Sequence, residues 1–180
     1  MKMDTGEKPV CRPDAATTIN TLKVPVAIDP ARKNLTMGGV YLLLVRIDKE
    51  QVIRPGSLGD VKISRGYYVY VGSGLNNLEA RLARHKRKRK KLHWHIDYLT
   101  SIASTVSTFP IRTKNRLECE LAEAVAMLSG KSVPGFGSSD CTCSSHLFFF
   151  AENPENDESF IDIVFEFRLK DSRTQLTPFQ

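Results

Sequence analysis

Two tyrosines, each in a short glycine-containing triplet, are the first residues of this sequence that suggest chemistry. Tyr41 ends Gly39-Val40-Tyr41, and Tyr70 begins Tyr70-Val71-Gly72. Both triplets lie in β-branched and aliphatic runs that are typical of strands, and the glycines permit close approach of the backbone beside them. If the two strands are neighbours, the two hydroxyls reach the same face of the sheet. A tyrosine whose pKa is lowered by a nearby cation can then take a proton from water.

An arginine and a histidine follow on a predicted helix that starts near Leu78. Arg81 and His85 are four residues apart and therefore project from the same side of this helix. A guanidinium fixed in such a position stabilises the negative charge that a phosphoryl transition state gains. Ser73 and Asn77 precede the helix, where they act either as caps or, if a cleft opens at this N-terminus, as phosphate ligands.

Residues 86–91 are six consecutive lysines and arginines. Such a block repels itself unless a polyanion or counter-ions neutralise it, so nucleic acid is the partner class that it favours. We expect Arg84, Lys88, Lys91 and His93 to contact this partner; a solvated helix face is the alternative interpretation. Trp94 fits an apolar helical stripe and is expected to pack in the core.

Taken in order, these motifs resemble the GIY-YIG nuclease superfamily. The resemblance extends from residue 38 to about residue 150 and rests on the two tyrosine triplets, Asn77, Leu78, Arg81, His85 and the later string Glu118-Cys119-Glu120-Leu121. Further strings resemble a largely uncharacterised prokaryotic branch of that superfamily, which is sometimes fused to endonuclease III. These strings are residues 66–73, 93–99, 118–122 and 135–141.

The resemblance implies a metal-dependent endonuclease that hydrolyses phosphodiester bonds of nucleic acid, DNA in our interpretation, with Mg²⁺ or Mn²⁺ as cofactor. Its catalytic residues would be Tyr41 as the base, Tyr70 orienting water or phosphate, Arg81 stabilising charge, and His85 contacting phosphate or sharing in proton transfer. A second hypothesis is a non-catalytic nucleic-acid-binding module on the same scaffold. A third is a small zinc-bearing interaction protein.

The resemblance also implies that one glutamate of the later helix holds the metal, and the sequence offers Glu118, Glu120 and Glu123. Periodicity predicts that this helix buries a stripe formed by Leu117, Leu121, Ala124 and Leu128. At about 100° per residue, Glu120 flanks the stripe closely, and Glu118 lies about 60° from its other edge. Glu120 is therefore our candidate for the metal ligand, and Glu118 is the alternative.

Cys141, Cys143 and His146 place three soft metal ligands within six residues. This spacing is compatible with a Zn²⁺ site that Cys119 or His93 would complete. We favour reduced thiols packed beside a buried strand, because a single cluster lacks the second half of a typical zinc motif.

The elements that would position these residues are short strands and helices. Strands predicted at residues 40–47, 61–63 and 67–71 form an antiparallel sheet, and the turn-rich residues 48–64 are interpreted as an inserted strand or hairpin between the two tyrosine motifs. Helices are predicted at residues 78–91, 94–102, 115–128 and 160–169, and further strands at 105–111 and 146–150. The pattern of residues 160–169 also fits a strand. The predicted fold class is α+β, a small central antiparallel sheet flanked by helices.

Composition is typical of one soluble domain: the 180 residues are 41% hydrophobic and 26% charged, with a net charge of +6. We expect a flexible or loosely docked arm at residues 1–37, a single GIY-YIG-like domain at 38–170 and a tail at 171–180. No apolar run approaches the ~20 residues of a membrane-spanning helix, and the first residues lack a secretory pattern. Together with only four cysteines, this predicts a cytoplasmic protein.

Overall fold

A four-stranded antiparallel sheet lies at the centre of the structure, a computed structural model that describes residues 38–174. The strands are, in chain order, β1 (Gly39–Ile47), β2 (Gln51–Ile53), β3 (Val61–Ile63), β4 (Gly66–Ser73), β5 (Thr105–Arg112) and β6 (Leu147–Phe150). The helices are α1 (Leu78–Lys86), α2 (His95–Ile102), α3 (Glu118–Ser129) and α4 (Glu158–Thr174). The sheet has the strand order β5-β1-β4-β6, and β2 pairs with β3 separately.

The central strand β1 is buried on both faces, and its side chains point alternately into two cores. Tyr41, Leu43 and Val45 belong to a core that includes residues of α1 and α2. Leu42 and Leu44 belong to a second core, which includes residues of α3 and α4. A strand covered on both faces is apolar throughout, which accounts for the continuous apolar run in β1. The predicted α+β class, with a small antiparallel sheet flanked by helices, is confirmed.

The predicted insertion between the two tyrosine motifs is a hairpin of β2 and β3. An ion pair of 2.6 Å between Arg54 Nε and Asp60 Oδ1 spans its connection. The expectation that residues 61–63 join the sheet of the tyrosine strands is wrong, because β3 pairs with β2 in a sheet of its own. β1 and β4 pair directly with each other from Val40 opposite Ser73 to Ile47 opposite Gly66, so no strand fits between them.

Two helices have different limits from those predicted. α1 ends at Lys86 rather than near residue 91, because the chain turns there and brings Lys90 Nζ to 3.4 Å from the buried carboxylate of Asp97. α3 begins at Glu118 rather than at residue 115 and ends at Ser129; the next residue, Gly130, has a φ of +62°, the left-handed conformation that favours glycine.

The edge strand β5 and the last helix α4 are both longer than predicted. β5 continues through Pro110, because it is an edge strand in which a missing N–H group is tolerated. Residues 160–169 lie within α4, and residues 171–174 of the predicted tail continue this helix. The predicted arm, residues 1–37, and residues 175–180 lie outside the described residues. Within residues 38–174, no helix combines the length and the apolar character that crossing a bilayer requires.

Candidate active site

The two predicted tyrosines lie side by side on the face of the sheet that α1 and α2 cover. In the pairing of β1 with β4, Tyr41 is opposite Gly72 and Leu43 is opposite Tyr70. The ring centroids of Tyr41 and Tyr70 are 6.4 Å apart. A Cβ atom on Gly72 would lie 2.5 Å from the hydroxyl oxygen of Tyr41, so the close approach of this ring requires a glycine.

His85 reaches the same point from α1. Its Nε2 is 2.9 Å from the hydroxyl oxygen of Tyr41, a hydrogen-bond distance, and the residue is 1% exposed. Burial and the charge of Lys90 lower the pKa of His85 to about 4, so the imidazole is neutral at neutral pH. Burial raises the pKa of Tyr41, although the charge of Arg81 acts in the opposite direction. The structure thus places His85 in hydrogen-bond contact with Tyr41, and its ring is buried behind that tyrosine.

Arg81 lies one turn before His85 and lines the same pocket as the two tyrosines. Its guanidinium carbon is 4.2 Å from the ring centroid of Trp94, and that of Arg84 is 4.6 Å from the same centroid. Such stacking restrains a guanidinium and leaves its N–H groups free to bind an anion in the plane of the group. Trp94, expected in the core from its sequence position, is half-buried and forms part of the pocket wall.

Glu118, the alternative metal ligand, lies in the pocket, and the preferred Glu120 lies outside it. Glu118 is the first residue of α3 and lines the pocket beside the tyrosines. Burial acts to raise the pKa of Glu118, but His146, Ser73 and the charge of Arg81 together hold it below its usual value. The Glu120 side chain is 53% exposed and pairs with Lys170 of α4. Glu118, rather than the preferred Glu120, therefore lies at this pocket, because the N-terminal end of α3 and not one of its faces meets it.

A pocket of about 370 Å³ near the start of β1 and the end of β4 is lined by the two tyrosines, Arg81, Trp94 and Glu118, but not by His85. Its lining residues are Tyr41, Tyr70, Ser73, Arg81, His93, Trp94, His95, Glu118, Gly137, Ser139 and Asp140. A second pocket of about 460 Å³ lies at the N-terminus of α1 and shares Ser73, Arg81 and Trp94 with the first. Both volumes fall in the range of sites that hold small molecules or segments of larger ones.

Four of the six residues predicted to contact nucleic acid line these two pockets, three of them from loop or helix-end positions. Ser73 and His93 line the first pocket. Asn77 lines the second pocket, and its Oδ1 also accepts a hydrogen bond from the N–H group of Ala80 at 2.9 Å. Asn77 is therefore a helix cap beside the candidate phosphate site.

The other three residues are Arg84, Lys88 and Lys91, and the side chains of the first two make hydrogen bonds within the protein. Arg84 lines the second pocket but donates a hydrogen bond of 2.6 Å to the buried Asp97. The ammonium group of Lys88 donates to the carbonyl of Ala103. Lys91 is exposed. Burial acts to raise the pKa of Asp97, but hydrogen bonds from backbone N–H groups and the charges of Lys90 and Arg84 hold it below its usual value.

The loop before β6 supplies pocket residues that the sequence analysis did not select. Gly137, Ser139 and Asp140 line the pocket. Gly137 has a φ of +75°, and a Cβ atom there would lie 2.7 Å from the ring of Tyr70. Its N–H group donates to Nδ1 of His95 at 3.2 Å, which joins the loop to α2. The signal that could have identified this loop is the string 135–141, one of the segments that carry the family resemblance.

A second group of side chains lies next to Glu118. The ligand atoms of Cys119, Cys141, Cys143 and His146 all lie within 4.8 Å of one another. The three cysteines are free thiols. Cys119 is therefore the residue that joins the predicted group of three, whereas the other candidate, His93, lines the active-site pocket.

Comparison with protein families gives one finding. A family model described as a domain of unknown function, DUF123, matches residues 40–169. Comparisons with the curated proteins and with the solved structures gave no match. The matched range contains both tyrosines, Arg81, His85, Glu118 and the cysteine–histidine group.

Proposed function

The chain belongs to the DUF123 domain family, and from the site that it carries we propose that it is a metal-dependent endonuclease that hydrolyses phosphodiester bonds of DNA. The observation that supports this proposal is the convergence of Tyr41, Tyr70, Arg81 and Glu118 on one pocket. The order of these residues along the chain resembles that of GIY-YIG nucleases. The same pocket contains a base, a fixed cation and a carboxylate, which are the groups that phosphodiester hydrolysis requires.

The donor set of the pocket fits a hard divalent cation. Glu118 and Asp140 both line it, and Mg²⁺ is typically bound by one or two carboxylates together with water. Glu118 would hold the ion, because its surroundings in the pocket keep its pKa low and its carboxylate ionised. Bound there, Mg²⁺ or Mn²⁺ would supply positive charge next to the scissile phosphate and its leaving oxygen.

Tyr41 and His85 form the route for a proton. His85 is neutral at neutral pH, since its pKa is lowered to about 4. With the imidazole proton on Nδ1, Nε2 accepts the hydroxyl proton of Tyr41 across the 2.9 Å hydrogen bond. The tyrosine oxygen then takes a proton from the attacking water, so one proton passes from the water to the pair, and the imidazolium of His85, with a pKa of about 4, holds it only transiently. Tyr70, whose ring lies next to that of Tyr41, orients the water or the phosphate.

Arg81 neutralises the charge that develops on the non-bridging oxygens of the phosphate. Its guanidinium is restrained by the ring of Trp94, with 4.2 Å between the guanidinium carbon and the ring centroid. A cation held in position before the reaction stabilises the transition state without the cost of reorganisation. Removal of one such donor typically lowers the rate by about 10²–10³-fold.

A cleavage assay with paired glutamate variants tests the proposal. Supercoiled, branched and damaged DNA are each incubated with the full-length protein in Mg²⁺, in Mn²⁺ and in EDTA. We expect strand cleavage that EDTA abolishes. Glu118→Gln and Arg81→Ala should abolish cleavage, whereas Glu120→Gln, a matched change two residues away on the same helix, should retain it.

Two results would contradict the proposal. One is cleavage by Arg81→Ala at the wild-type rate, and the other is cleavage that persists in EDTA. Loss of activity in Glu120→Gln with retention in Glu118→Gln would contradict the assignment of the metal ligand while leaving the nuclease function in place.

The exposed basic residues favour a second function, a non-catalytic nucleic-acid-binding module. Lys86, Arg87, Arg89 and Lys91 are all exposed at or just beyond the end of α1. In this case the wild-type protein binds DNA without cutting it, and Glu118→Gln binds equally well. A plot of the logarithm of the DNA-binding constant against the logarithm of the salt concentration has a negative slope. Replacing Lys86, Arg87 and Arg89 together by glutamine should make this slope less steep by about 3, because each cation that pairs with a phosphate contributes about one to it. Cleavage by the wild-type protein would exclude this alternative.

A further inference from the structure

Four potential metal ligands converge from two separate parts of the chain, the start of α3 and the segment before β6. Cys119 lies in the first turn of α3, Cys141 and Cys143 lie in the loop that follows, and His146 directly precedes β6. Their ligand atoms are all within 4.8 Å of one another. Nε2 of His146 is 3.4 Å from Sγ of Cys141.

These distances fit tetrahedral coordination. Bonds of about 2.3 Å to sulfur and about 2.0–2.1 Å to nitrogen place the ligand atoms of a tetrahedral Zn²⁺ site roughly 3.3–3.8 Å apart. The separation of 3.4 Å between His146 and Cys141 already has this value. The remaining ligand atoms, within 4.8 Å, need a contraction of about 1 Å or less, which cysteine rotamers on a loop can provide.

The chemistry of the ligands selects the metal. Three thiolates and one imidazole form a soft donor set that suits Zn²⁺ and that Mg²⁺ or Mn²⁺ does not favour. Cys₃His is also one of the usual compositions of structural zinc sites. The group is thus chemically distinct from the oxygen ligands, Glu118 and Asp140, of the neighbouring pocket.

The orientation of His146 is a second, independent observation that points to a metal. The residue is 1% exposed, its Nε2 faces the cysteines, and its buried Nδ1 lies 3.3 Å from Oε1 of Glu118. Histidines that bind zinc commonly direct the other ring nitrogen to a carboxylate, which fixes the tautomer and the orientation of the ring. His146 has this arrangement, with Glu118 as the carboxylate.

Solvent also reaches the group. Cys119, Cys141 and Cys143 are partly exposed. Cys119, Cys141 and His146 line a pocket of about 270 Å³ that also contains Glu118. A metal ion therefore has a path to the ligands in the folded protein.

We propose that Cys119, Cys141, Cys143 and His146 bind one structural Zn²⁺ ion, which fixes the first turn of α3 to the loop before β6. This loop and this turn carry Gly137, Asp140 and Glu118 of the active-site pocket. The Zn²⁺ site thereby holds a wall of that pocket in place. The assignment does not rest on the nuclease function, because it concerns metal binding alone.

Metal analysis of the full-length protein tests the site. The protein is produced with zinc in the medium, purified under reducing conditions without chelators, and measured by mass spectrometry for bound metal. We expect about one equivalent of zinc. Cys141→Ser and Cys143→Ser should each lose most of it, whereas Cys11→Ser, the same change at the remaining cysteine of the sequence, should retain it.

Cobalt titration tests the site in the wild-type protein, so its result does not require that a cysteine variant folds correctly. Wild-type protein stripped of metal and reduced is titrated with Co²⁺. Tetrahedral thiolate coordination should produce sulfur-to-cobalt charge-transfer bands and intense d–d bands, which saturate at about one equivalent and disappear when Zn²⁺ is added. The proposal would be overturned by folded, reduced wild-type protein that binds neither ion, or by a disulfide among these cysteines as the native state of the purified protein.

Discussion

The pair formed by Tyr41 and His85 gives each residue a role that neither would have alone. Burial raises the pKa of the Tyr41 hydroxyl, which makes this group slow to give up its proton by itself. The same burial lowers the pKa of His85 to about 4, so the imidazole is neutral at neutral pH but is a weaker base than an exposed histidine. In the proposed mechanism, proton transfer from water uses both residues, which the hydrogen bond of 2.9 Å joins.

Tyr41→Phe tests the contribution of the tyrosine hydroxyl group to cleavage. The change retains the ring in the core and removes the oxygen that exchanges protons, so we expect the cleavage rate to fall by about 10²–10⁴-fold while the protein stays folded. Single-turnover cleavage and a urea denaturation curve measure the two effects. Tyr67→Phe, in the same sheet but packed against the core of α3 and α4, is the matched control. Equal rates for wild type and Tyr41→Phe would remove Tyr41 from the mechanism.

His85 also makes the stability of the protein depend on pH. Its pKa is 6.5 when unperturbed and about 4 in the folded protein, so between these values the unfolded chain binds a proton that the folded protein does not. The free energy of unfolding therefore includes a contribution from neutral His85 that is fully present above about pH 6.5. This contribution is lost as the pH falls towards 4. The total loss is of the order of 3 kcal/mol.

Denaturation with urea at a series of pH values between 4 and 7.5 measures this dependence. We expect His85→Gln to flatten the decline between pH 6.5 and 4, and His93→Gln, at an exposed histidine, to leave it as in the wild type. An identical pH dependence in wild type and His85→Gln would show that His85 does not cause it.

At the scale of helices and loops, the sequence predicts the strand residues of the site better than its helix-end residues. Tyr41 and Tyr70 can be identified because a strand fixes the direction of its side chains through a period of two. Sequence periodicity makes Glu118 only the second choice for the metal ligand, after Glu120. The reason is that a helical wheel describes the faces of a helix but not the residue at which the helix begins. The start of α3 three residues later than predicted makes Glu118 its first residue.

The buried ion pairs between α1 and α2 could not be predicted from the sequence, for a related reason. The basic segment suggests a solvated or nucleic-acid-binding surface, but Lys90 and Arg84 reach back to Asp97. This pairing depends on how α1 and α2 pack, which local periodicity does not encode. Trp94 illustrates the same limit, since its place in the pocket wall follows from the contacts with Arg81 and Arg84.

Asp97→Asn tests the importance of this charge cluster for the packing of α1 on α2. Asp97 is fully buried, and its removal leaves Lys90, whose side chain is 2% exposed, without its counter-charge. We expect a loss of about 3–5 kcal/mol in the free energy of unfolding, measured by urea denaturation. Asp60→Asn breaks the exposed ion pair with Arg54 and should leave stability nearly unchanged. Equal effects of the two changes would contradict a structural role for the buried cluster.

At the scale of the whole described structure, the sheet joins two helical layers that have separate cores. Leu43 lies in the core with α1 and α2, and its neighbour Leu42 lies in the core with α3 and α4. Both side chains are fully buried. Since both cores share the central strand β1, we infer that the two layers unfold together.

Leucine-to-alanine changes on opposite faces of β1 test this coupling. Leu42→Ala and Leu43→Ala should each lower the free energy of unfolding by about 2–5 kcal/mol, through reduced burial and the cavity that remains. Each should still unfold in a single transition, by both circular dichroism and calorimetry. Val52→Ala, at a side chain that is 62% exposed in the β2–β3 hairpin, is the control and should change little. Two separate transitions in either leucine variant would contradict the coupling.

The stacking of two guanidinium groups on Trp94 has a practical consequence. Trp94 is the protein's one tryptophan, so all indole fluorescence originates at the wall shared by the two pockets. A polyanion that attracts Arg81 and Arg84 would draw cationic groups away from the excited ring and change its emission intensity. The molecule thus carries an unlabelled optical reporter at the position where a substrate would arrive.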